Sequence, residues 1–176
     1  SLAFIEKSGL STEASVIDVG AGACTLADDL VGRGFGDVTV LDVSHRALER
    51  SRERMGQRAD GITWRVDDVT TAELPEAHYD LWHDRAVFHF LTDPDARRRY
   101  VANVLHAVKP GGHVIVATFG LGGPEKCSGL EVVRYDSDGL HGEFGAPFVK
   151  MDSATDLHKT PWGSEQEFIY CLCRRT

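Results

Sequence analysis

"VIDVGAGACTL", residues Val16–Leu26, runs an apolar segment into a glycine pair and then toward a helical pattern. A strand that enters a glycine loop and leaves as a helix holds a nucleotide-like ligand at the strand's C-terminal end. Gly20 and Gly22 let the backbone turn tightly and approach that ligand. A loop built for a diphosphate carries a third glycine and places the phosphates on the helix N-terminus. Here Thr25 occupies the third position, and Asp18 stands two residues before the first glycine. A carboxylate there repels a diphosphate, since poorly hydrated like charges at a few ångströms cost kilocalories. It suits a ligand bearing an ammonium or sulfonium group.

Working outward, the chain alternates short apolar runs with helical patterns, as an α/β sheet requires. Strands are expected at 14–19, 37–43, 61–69, 79–84 and 113–119. The segment 24–34 places Leu26, Leu30 and Val31 on one helical face before Gly34 stops it. Ser44 caps a charged helix in which Leu48 and Met55 lie seven apart. Asp93-Pro94 is an N-cap followed by proline at the first helical position. The helix it starts carries Tyr100, Val101, Val104, Leu105 and Val108 on its packing side. Lys109-Pro110-Gly111-Gly112 is expected to end that helix and turn the chain into the fifth strand. Beyond residue 120 come a glycine-rich loop (120–130), a short helix near 137–143 and strands near 147–158 and 165–174. Pro161-Trp162-Gly163 separates the last two, which read as an antiparallel hairpin.

Two further acidic positions fall at successive strand ends. Asp42 ends the second strand, where a carboxylate can accept both hydroxyls of a ribose. That feature fits NAD as well as an adenosyl sulfonium compound. Asp67-Asp68-Val69 ends the third strand, where a side chain can accept from an adenine amino group. Each acid alone reads equally well as a solvated strand-end aspartate. Together they mark the edge at which open α/β sheets bind ligands.

The 176 residues suffice for one domain, and no apolar run approaches the roughly 18 residues of a membrane span. No basic-plus-apolar leader opens the chain, and the absent initiator Met suggests a processed or truncated start. With 27 acidic against 19 basic residues, the net charge of −8 disfavours a large nucleic-acid footprint. The basic run Arg97-Arg98-Arg99 reads as a solvated helix face. Cys24, Cys127, Cys171 and Cys173 have no zinc-type spacing and no dense disulfide pattern, so they read as reduced thiols of a cytoplasmic protein, and no metal site is expected.

In order and spacing, "VIDVGAGACTL", "VTVLDVS", "VDDV", "YDLWHDRAVFHFL" and "VKPGGHVIVATF" resemble the class I S-adenosylmethionine-dependent methyltransferases. The resemblance spans about residues 10–120. It implies a single α/β domain over residues 1–176. The sheet would be Rossmann-like and seven-stranded, mostly parallel with one antiparallel strand near the C-terminus, and covered by helices on both faces. By the same resemblance, Asp18, Gly20, Gly22 and Cys24 surround the methionine part of S-adenosyl-L-methionine. Asp42 holds the ribose with Val43 beside the adenine, and Asp68 and Val69 bind the adenine edge. His83 lies beside the methionine moiety and, with Asp84, faces the substrate. The family's helical lid before the first strand would be short or truncated, since about 14 residues precede that strand.

The acceptor is expected to meet "WHDRAVFHFLTD" (82–93). The segment lacks the Asn/Asp-Pro-Pro-Tyr/Phe motif used on planar amino groups, so adenine and glutamine amides are disfavoured. His83 and His89 are candidate bases for an acceptor that arrives protonated, and Asp84 and Arg85 are candidate substrate contacts. The plainer readings pair Arg85 with Asp84 and pack His89 between Phe88 and Phe90. Cys127 with His158 offers thiol or soft-metalloid chemistry if the fold joins them. The expected reaction is methyl transfer to a small molecule or a protein side chain. A non-catalytic cofactor-binding subunit and a nicotinamide-dependent oxidoreductase are the rivals, and Asp18 and Thr25 count against the second.

Overall fold

The computed structural model describes residues 1–176 except Ala23, Pro161, Trp162 and Ser164. Its organising element is a seven-stranded sheet: β1 (Ser15–Val19), β2 (Asp37–Asp42), β3 (Ile62–Val66), β4 (Tyr79–Arg85), β5 (Val108–Phe119), β6 (Phe148–Lys159) and β7 (Glu165–Arg175). The spatial order is β3-β2-β1-β4-β5-β7-β6, and β7 alone runs against its neighbours. The strand order switches sides between β1 and β4, which run parallel, so their ends form the crevice where such sheets take ligands.

Alternation along the strands builds two cores. Val16, Val40, Leu81, Ile115 and Leu172 face α1 (Leu2–Ser8), α2 (Leu26–Gly32) and α3 (His45–Met55). Ile17, Leu41, Trp82, Val116 and Cys171 face α4 (Pro94–Ala107) and α5 (Ser137–Phe144) on the other side. Every residue of β1 is buried, as expected for a central parallel strand covered on both faces. The caps read from the sequence are made. Ser44 Oγ accepts from Ala47 N, and Asp93 accepts from Asp95 N and Ala96 N.

Two expectations change. Lys109-Pro110-Gly111-Gly112 lies within β5, because the strand already pairs at Val108, opposite Tyr79. The next pair is Leu81 with His113, so these four residues bulge out of the ladder. Gly112 is needed there, since a Cβ would sit 2.8 Å from Val108 Cγ1 and 2.9 Å from Lys109 O. The basic run is not wholly solvated: Arg97 donates to Leu91 O and Thr92 O and pairs with Glu143, tying α4 to α5. A helix, α1, precedes β1 and stacks Phe4 on Tyr170 of β7. Pro161 and Trp162 of the expected turn lie outside the described residues. No helix among the described residues is long and apolar enough to cross a membrane.

Candidate functional site

The glycine turn after β1 is fixed from three directions. Gly20 N donates to Leu41 O, Gly22 N donates to the Asp42 carboxylate, and Ser51 Oγ of α3 donates to Gly22 O. Gly20 has φ +65°, and a Cβ on it would fall 1.8 Å from Val87 Cγ2, so only glycine fits beneath that side chain. Asp42 Oδ1 accepts from Ser44 N at 2.7 Å and Oδ2 from Gly22 N at 2.8 Å. Each oxygen keeps a lone pair for a ligand hydroxyl.

Beneath this turn lies a buried pair. Asp18 and His83 are neighbours in the β1–β4 register, and His83 Nδ1 is 2.7 Å from Asp18 Oδ1. The carboxylate sets the tautomer, so Nδ1–H donates and Nε2 is left as an acceptor, 2.8 Å from Ser1 Oγ. Asp18 Oδ2 is buried and has no hydrogen-bond partner among the described residues. A buried carboxylate oxygen without a donor is costly unless a ligand supplies one.

Two cavities flank the turn. The first, of about 450 Å³, lies over the ends of β1, β2 and β3 and is walled by Leu41, Val43, Val69, Val87 and Phe90, with Asp42 and Asp68 on its edge. Val43 is 71% exposed and forms an apolar wall of this cavity. Asp68 Oδ1 accepts from Thr70 N and Oγ1, which leaves its second oxygen toward the cleft edge. The second cavity, of about 480 Å³, lies on the α1 side and is lined by Cys24, Asp29, Arg85, His158 and Tyr170 among others.

Of the residues expected to hold a cofactor, Gly20, Asp42, Val43, Asp68 and Val69 therefore line one cleft. Cys24 opens instead to the second cavity. Asp18 and His83 lie beneath the turn, and His83 reaches the second cavity through Ser1, which lines it.

Two substrate-side assignments are corrected. Asp84 is fully buried on the opposite face, where it accepts from Val87 N, Phe88 N and Tyr100 Oη. Burial raises its carboxyl to about 6 even though those donors and His83 pull it down. Its work is to hold the turn in which Ala86 adopts φ +70°, and that turn lays Val87 over Gly20. Asp84 therefore positions a wall and lines neither cavity, and among the described residues it makes no ion pair with Arg85. His89 is fully buried, and its Nδ1 accepts from Phe119 N at 3.3 Å between the Phe90 and Phe119 rings. Burial, helped by the Arg85 charge, lowers it to about 4. A neutral, enclosed imidazole of this kind packs the core and is not a substrate base.

The sequence reading missed Val87, Phe90, Asp29 and Tyr170. The first two were signalled by the apolar cluster directly after β4. Asp29 and Tyr170 carry no local signal, because pairing through β5 and packing of α2 bring them to the cavity. Cys127 lies in a two-residue ladder with Leu130, while His158 lines the second cavity, so the fold does not gather them at that cavity.

Residues 16–112 match the family model described as a methyltransferase domain. Nodulation protein S of Rhizobium tropici is 33% identical over 102 residues, covering 58% of this chain and 42% of its own length. An uncharacterized methyltransferase of Mycobacterium tuberculosis is 35% identical over 104 residues, covering 59% of this chain and 50% of its own length. The chain thus spans about half the length of the curated relatives it matches. Among solved structures, the N-methyltransferase NodS of Bradyrhizobium japonicum in complex with S-adenosyl-L-homocysteine superposes with a TM-score of 0.76 at 17% identity, over 99% of this chain and 84% of that one. The 1,6-didemethyltoxoflavin-N1-methyltransferase of Burkholderia thailandensis gives 0.76 at 20% identity, over 99% and 76%. At these identities the structural likeness speaks for the fold.

Proposed function

The chain belongs to the methyltransferase-domain family, and from that premise we propose that it moves the methyl group of S-adenosylmethionine onto the nitrogen of a small-molecule amine. The observation that carries the reading is the unpartnered, buried Oδ2 of Asp18 beneath the glycine turn. It fits the ammonium of a cofactor with an amino-acid tail, and it does not fit a diphosphate. The first cavity supports the same reading, with Asp42 for ribose hydroxyls and the Val43, Val69 and Phe90 walls for adenine. When bound, the cofactor supplies a sulfonium methyl: the acceptor's lone pair forms the new C–N bond as the C–S bond breaks and its electron pair goes to sulfur.

The residues of the chain do the rest by placement, which is the main lever in an in-line displacement. Val87 closes over Gly20 and keeps the turn covered. Asp18 Oδ1 orients His83, and the Nε2 of His83, relayed by the Ser1 hydroxyl, receives the proton an amine loses on methylation. The choice of nitrogen rests on the nodulation protein S relatives and the N-methyltransferase neighbours. The choice of a small molecule rests on the small-molecule methyltransferases among the structural neighbours, such as the 1,6-didemethyltoxoflavin-N1-methyltransferase.

Thermal unfolding with S-adenosylhomocysteine and with NADH tests the first half. S-adenosylhomocysteine is expected to raise the melting temperature with the logarithm of its concentration above Kd, and NADH to leave it unchanged. Stabilisation by NADH alone would return the chain to the oxidoreductase class. Methyl-tritiated donor offered with a panel of amines, alcohols and thiols tests the second half. Label appearing only on oxygen or sulfur would overturn the nitrogen assignment.

A further inference from the structure

The second cavity holds a guanidinium, that of Arg85, which is bonded to no carboxylate among the described residues. Arg85 stands two residues after His83 on β4, so both side chains leave the strand on the same face, about 7 Å apart along it. The register carries Arg85 across the sheet: it lies beside Ala117 of β5, and Ala117 lies beside Tyr170 of β7. Only a methyl group separates them, and Arg85 Nε donates to Tyr170 Oη at 3.0 Å. The guanidinium also sits 4.4 Å from the centre of the Phe168 ring. Its plane is thus held by two contacts. Its terminal amino groups are bonded to no carboxylate among the described residues, whereas the half-buried Arg65, Arg97 and Arg134 each face one. Leaving a half-buried guanidinium without a counter-ion is unfavourable, and a ligand anion offsets that cost. A guanidinium held flat with its terminal fork free matches two oxygens of one anionic group.

We infer that Arg85 binds the anionic group of the acceptor, so that the acceptor is an amine that also carries a carboxylate or a phosphate-type group. The amine lies toward Ser1 and His83 and the anion on the Arg85 fork, a span one small molecule can bridge. Asp29, on the α2 wall of the same cavity, adds a negative border that disfavours an acceptor with a second anion there. The inference rests on the methyl-transfer reading and names its substrate class.

The test is calorimetric titration of the full chain saturated with S-adenosylhomocysteine. The probes are paired amines with and without the anion: glycine against methylamine, leucine against isoamylamine, phenylalanine against phenethylamine. Aminomethylphosphonate against glycine separates phosphate-type from carboxylate recognition. In at least one pair the anion-bearing member is expected to bind at least about tenfold more tightly. Arg85→Gln is expected to remove that preference while S-adenosylhomocysteine still binds. Arg85→Lys keeps the charge but not the fork, so it narrows the preference, and it stands in if the Gln variant does not fold. The absence of a preference in every pair, or a preference that survives in Arg85→Gln, overturns the inference. Failure of the wild-type chain to bind S-adenosylhomocysteine is a separate result and defeats the methyl-transfer reading itself.

Discussion

The two cavities beside the glycine turn are assembled in opposite ways. The first is built mostly from the ends of β1, β2, β3 and β4, with Leu130 added from the segment after β5. The second draws on α1, the loop before α2, β4, β6 and β7, so its walls come from both ends of the chain. In the proposed reading the first takes the cofactor that the fold family shares, and local sequence spells its lining. In the same reading the second takes the acceptor, and only tertiary pairing spells its lining. Asp18 and His83 join the two, one oxygen of the carboxylate orienting the imidazole and the other left for a ligand.

The largest expected effect is at that junction. Asp18→Ala is expected to weaken S-adenosylhomocysteine by two to three orders of magnitude, ~3–4 kcal/mol, as for a buried ion pair that loses one partner. Calorimetry measures it, and a loss below about tenfold would place the ammonium elsewhere.

Next is the turn that roofs the first cavity. Asp84 has a folded-state pKa of about 6 against an ordinary 3.8, a difference of ~3 kcal/mol. Its contribution to stability is present below about pH 4 and is lost as the pH rises through 6. Asp84→Asn, which cannot ionise, is expected to gain on the wild type steadily from pH 4 to pH 7 in urea unfolding. His89, lowered to about 4, acts in the opposite sense: its contribution is present above about pH 6.5 and is lost as the pH falls through 4. A constant difference between Asp84→Asn and wild type across the range would remove the carboxyl from this account.

Asp42→Asn separates the cavities. It is expected to weaken adenosine and S-adenosylhomocysteine alike by roughly tenfold to a hundredfold, leaving the anion preference at Arg85 untouched. Unchanged nucleoside affinity would take Asp42 out of the site. The smallest effect is at the rim, where Val43→Ser is expected to weaken the same ligands about threefold, the worth of a partly buried methyl pair.

How far the sequence could be read follows the same division. The strand segments, the terminal antiparallel hairpin and the Ser44 and Asp93 caps follow from patterns of a few adjacent residues, and so do Gly20, Asp42 and Val69 at the cleft, whereas the strand order is set by tertiary pairing. His89 and Asp84 were misplaced for a physical reason. Asp84 lies near the end of β4 and His89 within the apolar cluster that follows it, and sequence alone does not say which of their polar groups are turned inward. That outcome depends on Ala86 at φ +70°, a conformation alanine does not announce. Tyr170 was invisible because its partner Arg85 lies two strands away, across an alanine. The bulge at residues 109–112 looked like a turn because a Pro-Gly pair signals either, and only the Tyr79–Val108 pair decides between them.

The most direct measurement compares two ligands across the junction. 5′-Methylthioadenosine fills the adenosine side and lacks the amino-acid tail that S-adenosylhomocysteine carries. The wild-type chain is expected to bind S-adenosylhomocysteine about a hundredfold more tightly than methylthioadenosine, and Asp18→Ala to bind the two nearly alike. A variant that keeps the full hundredfold preference would contradict the assignment of Asp18 to the cofactor's ammonium, and with it the reading of the glycine turn.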